Sequence, residues 1–66
     1  MKLIFVDHFE KDTVIATIES DVIPVGGKFI NTNVILKSKR YTVSTVTIDY
    51  DTNIAIIEIY YWNLWL

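Results

Sequence analysis

Ile, Val and Thr account for 25 of the 66 residues, against six Ala and Leu combined. Branching at Cβ restricts χ1 and suits a pleated backbone, so this ratio commits most of the chain to strands. No apolar pattern repeats every 3.6 residues for long enough to specify a helix. The chain is predicted to be all-β.

Its length then limits how the strands can be stabilised. A chain this short buries only about 60% of the surface it exposes when unfolded, and small folds of this size usually need a staple. Cysteine is absent, which removes disulfides, thiolate zinc sites and thiol nucleophiles together. What remains is an unusually apolar core or oligomerisation, and a hydrophobic content of 52% suits both. There is room for one domain, residues 1–66, and for no linker.

Eight acidic and six basic residues give a formal charge of −2, a poor footprint for binding duplex nucleic acid. Only four apolar residues, Leu3 to Val6, follow Lys2 before Asp7 interrupts, whereas a secretory core needs roughly 7–15. No apolar run approaches the ~18 residues of a membrane helix. The expectation is a cytoplasmic protein.

The first strand is predicted over residues 2–9, apolar on both faces, and the second over 13–20, after a polar corner at Glu10, Lys11 and Asp12. Pro24 lacks a ladder donor and Gly26-Gly27 can take positive φ, so "IPVGG" reads as a loop or sharp bend. "NTN" offers another turn, with short strands at 28–30 and 34–37. In "YTVSTVTIDY", Tyr41 and Val43 share one phase, and Val46, Ile48 and Tyr50 share another. A β-bulge at Ser44-Thr45 reunites the two sets on one inward face and bends the strand. "DTN" then turns into the alternating strand 54–62, closing an antiparallel hairpin. The predicted architecture is a small five-stranded antiparallel barrel, SH3-like, with an OB-like barrel as the alternative.

"IPVGGKF" followed by "KRYTVSTVTIDYDTNIAIIEI" resembles a pattern in small, mostly uncharacterised β-barrel proteins of bacteriophages and prophages. There a Pro/Gly turn leads to a Tyr-x-Val strand, an acidic turn and an alternating last strand. The resemblance spans somewhat under half the chain, and "INTN" stands as an insertion within it. It implies a phage or prophage setting, with host cytoplasm as the location, and transfers no catalytic residue.

Little chemistry is available. His8 is the only histidine, and with Asp7, Glu10 and Asp12 it can be drawn as a metal site, but a solvated corner after a strand explains these residues better. "DYDTN" opens like a calcium loop at Asp49, Asp51 and Asn53. That loop then needs Gly sixth and Glu twelfth, where this chain has Ile54 and Tyr60. Gly26-Gly27-Lys28 lacks phosphate-loop spacing. Neither catalysis, a metal nor a cofactor is expected.

Two candidate surfaces remain. The first is the terminal set Tyr60, Tyr61, Trp62, Leu64, Trp65 and Leu66. Each large apolar side chain left in water forgoes roughly 1.5–3 kcal/mol, and Trp and Tyr favour binding hot spots. These residues either cover the open end of their own barrel or meet a partner, a second copy of the chain being the most economical. A membrane-surface role is disfavoured, because the segment has no Lys or Arg. The second set is Lys28, Phe29, Lys37, Lys39, Arg40 and Tyr41, basic and aromatic residues of the kind that bind single-stranded nucleic acid on small barrels. The competing explanation is a solvated hairpin tip whose lysines deter edge pairing.

Overall fold

The computed structural model describes residues 1–26 and 32–61. Five strands form one sheet: β1 (Lys2–Asp7), β2 (Val14–Glu19), β3 (Asn33–Leu36), β4 (Lys39–Asp49) and β5 (Ile54–Tyr61). Their spatial order is β2-β1-β5-β4-β3, and the sheet curls into a half-barrel. No helix occurs among the described residues. The all-β, five-stranded expectation is met.

The sheet is mixed, however, and not antiparallel throughout. β1 and β5 run parallel, in register from Lys2 opposite Ile54 to Asp7 opposite Ile59. Backbone bonds from Lys2 N to Asn53 O (3.1 Å) and from His8 N to Ile59 O (2.8 Å) extend this pairing at both ends. The other three pairings are antiparallel. The two parallel strands lie inside the sheet, each with a neighbour on both sides, their concave residues buried and Ile4, Ile54 and Ile56 on the other face half-buried. Their near-continuous apolar runs, "LIFV" and "IAII", fit that position.

The bulge lies where the sequence put it. Pairing of β4 with β5 shifts between Val43 and Thr45, so Ser44 is the extra residue. Val43 is buried, and Tyr41, Val46 and Ile48 all pack against the same core. Tyr50 departs from expectation: it stands in the β4–β5 turn and is exposed.

The core occupies the concave face: Leu3, Phe5, Leu36, Val43, Ala55, Ile57 and Ile59. A single curled sheet leaves such a face open unless something crosses it. The segment after β2 does so. Ile23 packs on the cluster. An added Cβ on Gly26 would lie 3.1 Å from both Ser44 O and Val43 Cγ1 and 3.3 Å from Val46 Cγ2. Residues 23–26 are therefore a strap laid against the bulge. Gly26 does not adopt positive φ there; close approach explains its lack of a side chain.

The turn between β3 and β4 is Lys37-Ser38, with φ of 53° and 67°. These values fit the twist-matched two-residue hairpin turn. Asn33 belongs to β3, Asn31 of the expected "NTN" turn lies outside the described residues, and β3 stops one residue short of Lys37. The expected strand at 28–30 lies outside the described residues.

Candidate interaction surface

Strand directions place the β1–β2 turn, the β3–β4 turn and the end of β5 at one end of the half-barrel. Alternation along β5 sends Tyr60 and Tyr61 to opposite faces there. Tyr61, 52% exposed, stands on the concave side opposite Tyr41, with ring centroids 5.9 Å apart. Lys39 Nζ lies 5.7 Å from the Tyr61 ring centroid, a cation–π contact. One member of the terminal set thus joins two of the basic set. Arg40, paired with Ile35, faces the other side, and Lys37 sits in the turn. Lys28, Phe29, Trp62, Leu64, Trp65 and Leu66 lie outside the described residues.

The convex side carries a cluster that the sequence did not suggest. Tyr60 lies 6.0 Å from the His8 ring and 6.4 Å from that of Phe9. His8 Nδ1 is 3.1 Å from Glu58 Oε1, and Lys11 Nζ is 3.7 Å from Glu58 Oε2. These groups are about 50 positions apart, and only the parallel β1–β5 pair brings them together. The available signal was Glu58 itself, the one charged residue in an otherwise apolar strand.

Burial alone pushes the Glu58 carboxyl up. Hydrogen bonds from His8 and Thr45, with the positive charge of Lys11, outweigh it and hold the group below the ordinary glutamate value. A carboxyl lowered in the folded state stabilises above its unfolded pKa and ceases to do so as pH falls through the folded value. Glu58→Gln is therefore expected to cost about 1 kcal/mol at neutral pH and to flatten the acid limb of the stability curve, measured by urea unfolding from pH 7 downward. An unchanged acid limb contradicts this role.

The aspartates tie the turns. Asp7 Oδ1 accepts from Phe9 N (2.8 Å) and Glu10 N (3.3 Å), and Asp49 Oδ1 accepts from Asp51 N (2.9 Å) and Thr52 N (3.3 Å). Both corners use an Asp side chain in place of a backbone acceptor. Asn53 supplies the left-handed residue of the second, at φ 60°. No group of three or more His, Asp or Glu suited to a metal occurs among the described residues. No helix among them is long and apolar enough to cross a membrane.

Fold and surface together define the class: a small all-β half-barrel with an aromatic end and, among the described residues, two sheet edges without a neighbouring strand. No family model, curated protein or solved structure matches this chain, so its function is argued from its own residues.

Proposed function

We propose that this protein is a non-catalytic protein–protein interaction module that associates with itself. The observation that carries this reading is the apolar surface. Phe9, Val14, Ile18, Val22, Val25, Ile35, Tyr50 and Tyr61 are all more than a third exposed. Each of these side chains forgoes burial free energy in water that a partner covering it would recover. The terminal residues Tyr60, Tyr61, Trp62, Leu64, Trp65 and Leu66 supply the main contact. The resemblance to phage and prophage proteins makes it an accessory component, either of a virion or its assembly or an inhibitor of a host protein, working in the host cytoplasm.

Light scattering on a sizing column, comparing the whole chain with one ending at Tyr61, tests this. The whole chain is expected to exceed the mass of one chain, and the shortened chain to stay folded with a lower mass. A single-chain mass for the whole protein overturns the reading. So does unfolding on truncation, which makes the tail core.

Lys39, Tyr41 and Tyr61, gathered on the concave rim, favour one second reading: single-stranded nucleic-acid binding by stacking and cation contacts. Against it stand the net charge and the placement of Arg40 on the opposite face. A salt-sensitive shift with a single-stranded oligonucleotide moves the assignment to this set.

A further inference from the structure

We infer that copies of this chain join edge to edge, β3 of one beside β2 of the next, so that the sheet continues from molecule to molecule. The inference rests on the self-association proposed above and adds a surface to it. Among the described residues, β2 and β3 each have one neighbour, β1 and β4 respectively. Ser20 N donates to Met1 O and Val43 N donates to Thr32 O. By antiparallel alternation, Thr17 and Glu19 on β2, and Asn33 and Ile35 on β3, turn their own N–H and C=O to the open edges. Edges of this kind are normally blunted by charges within the strand. β3 has none, and the one charge on β2, Glu19, is held by the chain's N-terminal amine at 3.6 Å. Both edges expose apolar side chains: Ile35 on one, Val14 and Ile18 on the other.

Charge selects the pairing. Residues 7–21 contain five of the eight acidic residues and one lysine, and residues 22–48 contain no acidic residue at all. The β3–β4 turn presents Lys37, Lys39 and Arg40, all exposed, with no carboxylate in ion-pair range among the described residues. The β1–β2 turn presents Glu10 and Asp12, while its Lys11 is drawn to Glu58. Antiparallel pairing of β3 with β3 puts the two basic turns at opposite ends of the seam with no acidic residue from 22–48 beside either, and pairing of β2 with β2 sets Glu10 and Asp12 of one copy towards Glu19 and Asp21 of the other. Pairing β3 with β2 sets opposite charges together.

Direction agrees. β3 runs with β1 and β5 while β2 runs against them. A neighbour in the same orientation therefore offers an antiparallel strand, and the basic turn of one copy lies at the same end as the acidic turn of the next. Such a contact is heterologous, giving a ring if it closes and a filament if it does not.

Two full-length charge-reversed chains test this: Lys37→Glu with Arg40→Glu, and Glu10→Lys with Asp12→Lys. All four positions are exposed, and circular dichroism checks the fold of each chain. By light scattering, the parent is expected to associate and to lose mass at high salt. Each reversed chain alone should associate at least about tenfold more weakly. An equimolar mixture should regain the parent's mass, because every edge then meets its opposite. Reversed chains that associate like the parent, a mixture that stays dissociated, or a parent mass indifferent to salt each overturn edge pairing. If truncation after Tyr61 lowers the mass while charge reversal does not, the interaction module stands and this inference falls. A parent that is a single chain at every concentration removes both.

Discussion

Deletion of Ser44 is expected to leave the chain folded, and deletion of Glu58, on the adjacent strand beside the bulge, to unfold it. Both remove one residue from a paired strand, so length alone predicts the same damage. The difference lies in phase. In β4, Tyr41 and Val43 point inward, Ser44 is the bulge, Thr45 points outward, and Val46 and Ile48 point inward. Without Ser44 the alternation becomes regular and all four inward residues keep their face; the loss is a bend and one side of the strap contact, about 1 kcal/mol. β5 has no spare residue. Without Glu58, Ile57 and Ile59 become neighbours and point to opposite faces. Both are fully buried, and an inward isoleucine lost from a core costs about 2–5 kcal/mol. For a chain of this length that approaches the whole stability. Circular dichroism melts of the two variants decide the matter. A Ser44 deletion as damaging as the Glu58 deletion means that the core depends on the bend itself.

This asymmetry also shows what the sequence made legible. The phase slip between Val43 and Val46 is visible in the residue string because period-2 alternation is local. So is the alternation of β5 with its single carboxylate. The parallel β1–β5 pair was harder to see, because the sequence carries no register for strands separated by residues 8–53. Its only trace was the doubly apolar "LIFV", legible as burial on both sides but silent about the neighbour. The convex cluster of His8, Glu58 and Tyr60 depends on that pairing and was hidden with it. The β3–β4 turn was obscured for another reason: Lys37-Ser38 adopts positive φ without the Asn or Gly that normally marks such a turn. The charge division is plain in the string, yet it acquires meaning only once residues 7–21 and 32–40 are seen to flank opposite edges.

Gly26→Val is expected to destabilise the domain by about 1–3 kcal/mol, and Gly26→Ala by much less. The strap, more than the sheet, is at stake. The Cβ of either residue enters a space bounded by Ser44 O, Val43 Cγ1 and Val46 Cγ2, at 3.1 to 3.3 Å. The carbonyl belongs to a paired strand and Val43 is buried, so neither yields easily. For alanine an opposing effect operates. Because φ at Gly26 is not positive, the substitution is permitted by the backbone and lowers the entropy of the unfolded chain, a gain of about 0.4–1 kcal/mol. Valine has the same gain but adds two methyl groups with nowhere to go except by lifting the strap. Lifting it uncovers Ile23 and the concave face beneath. The valine variant should therefore unfold at lower urea and bind a hydrophobic dye more strongly while still folded. A valine variant as stable as the parent means that the strap is not pressed against β4, and the burial of Ile57 and Ile59 then needs another cover.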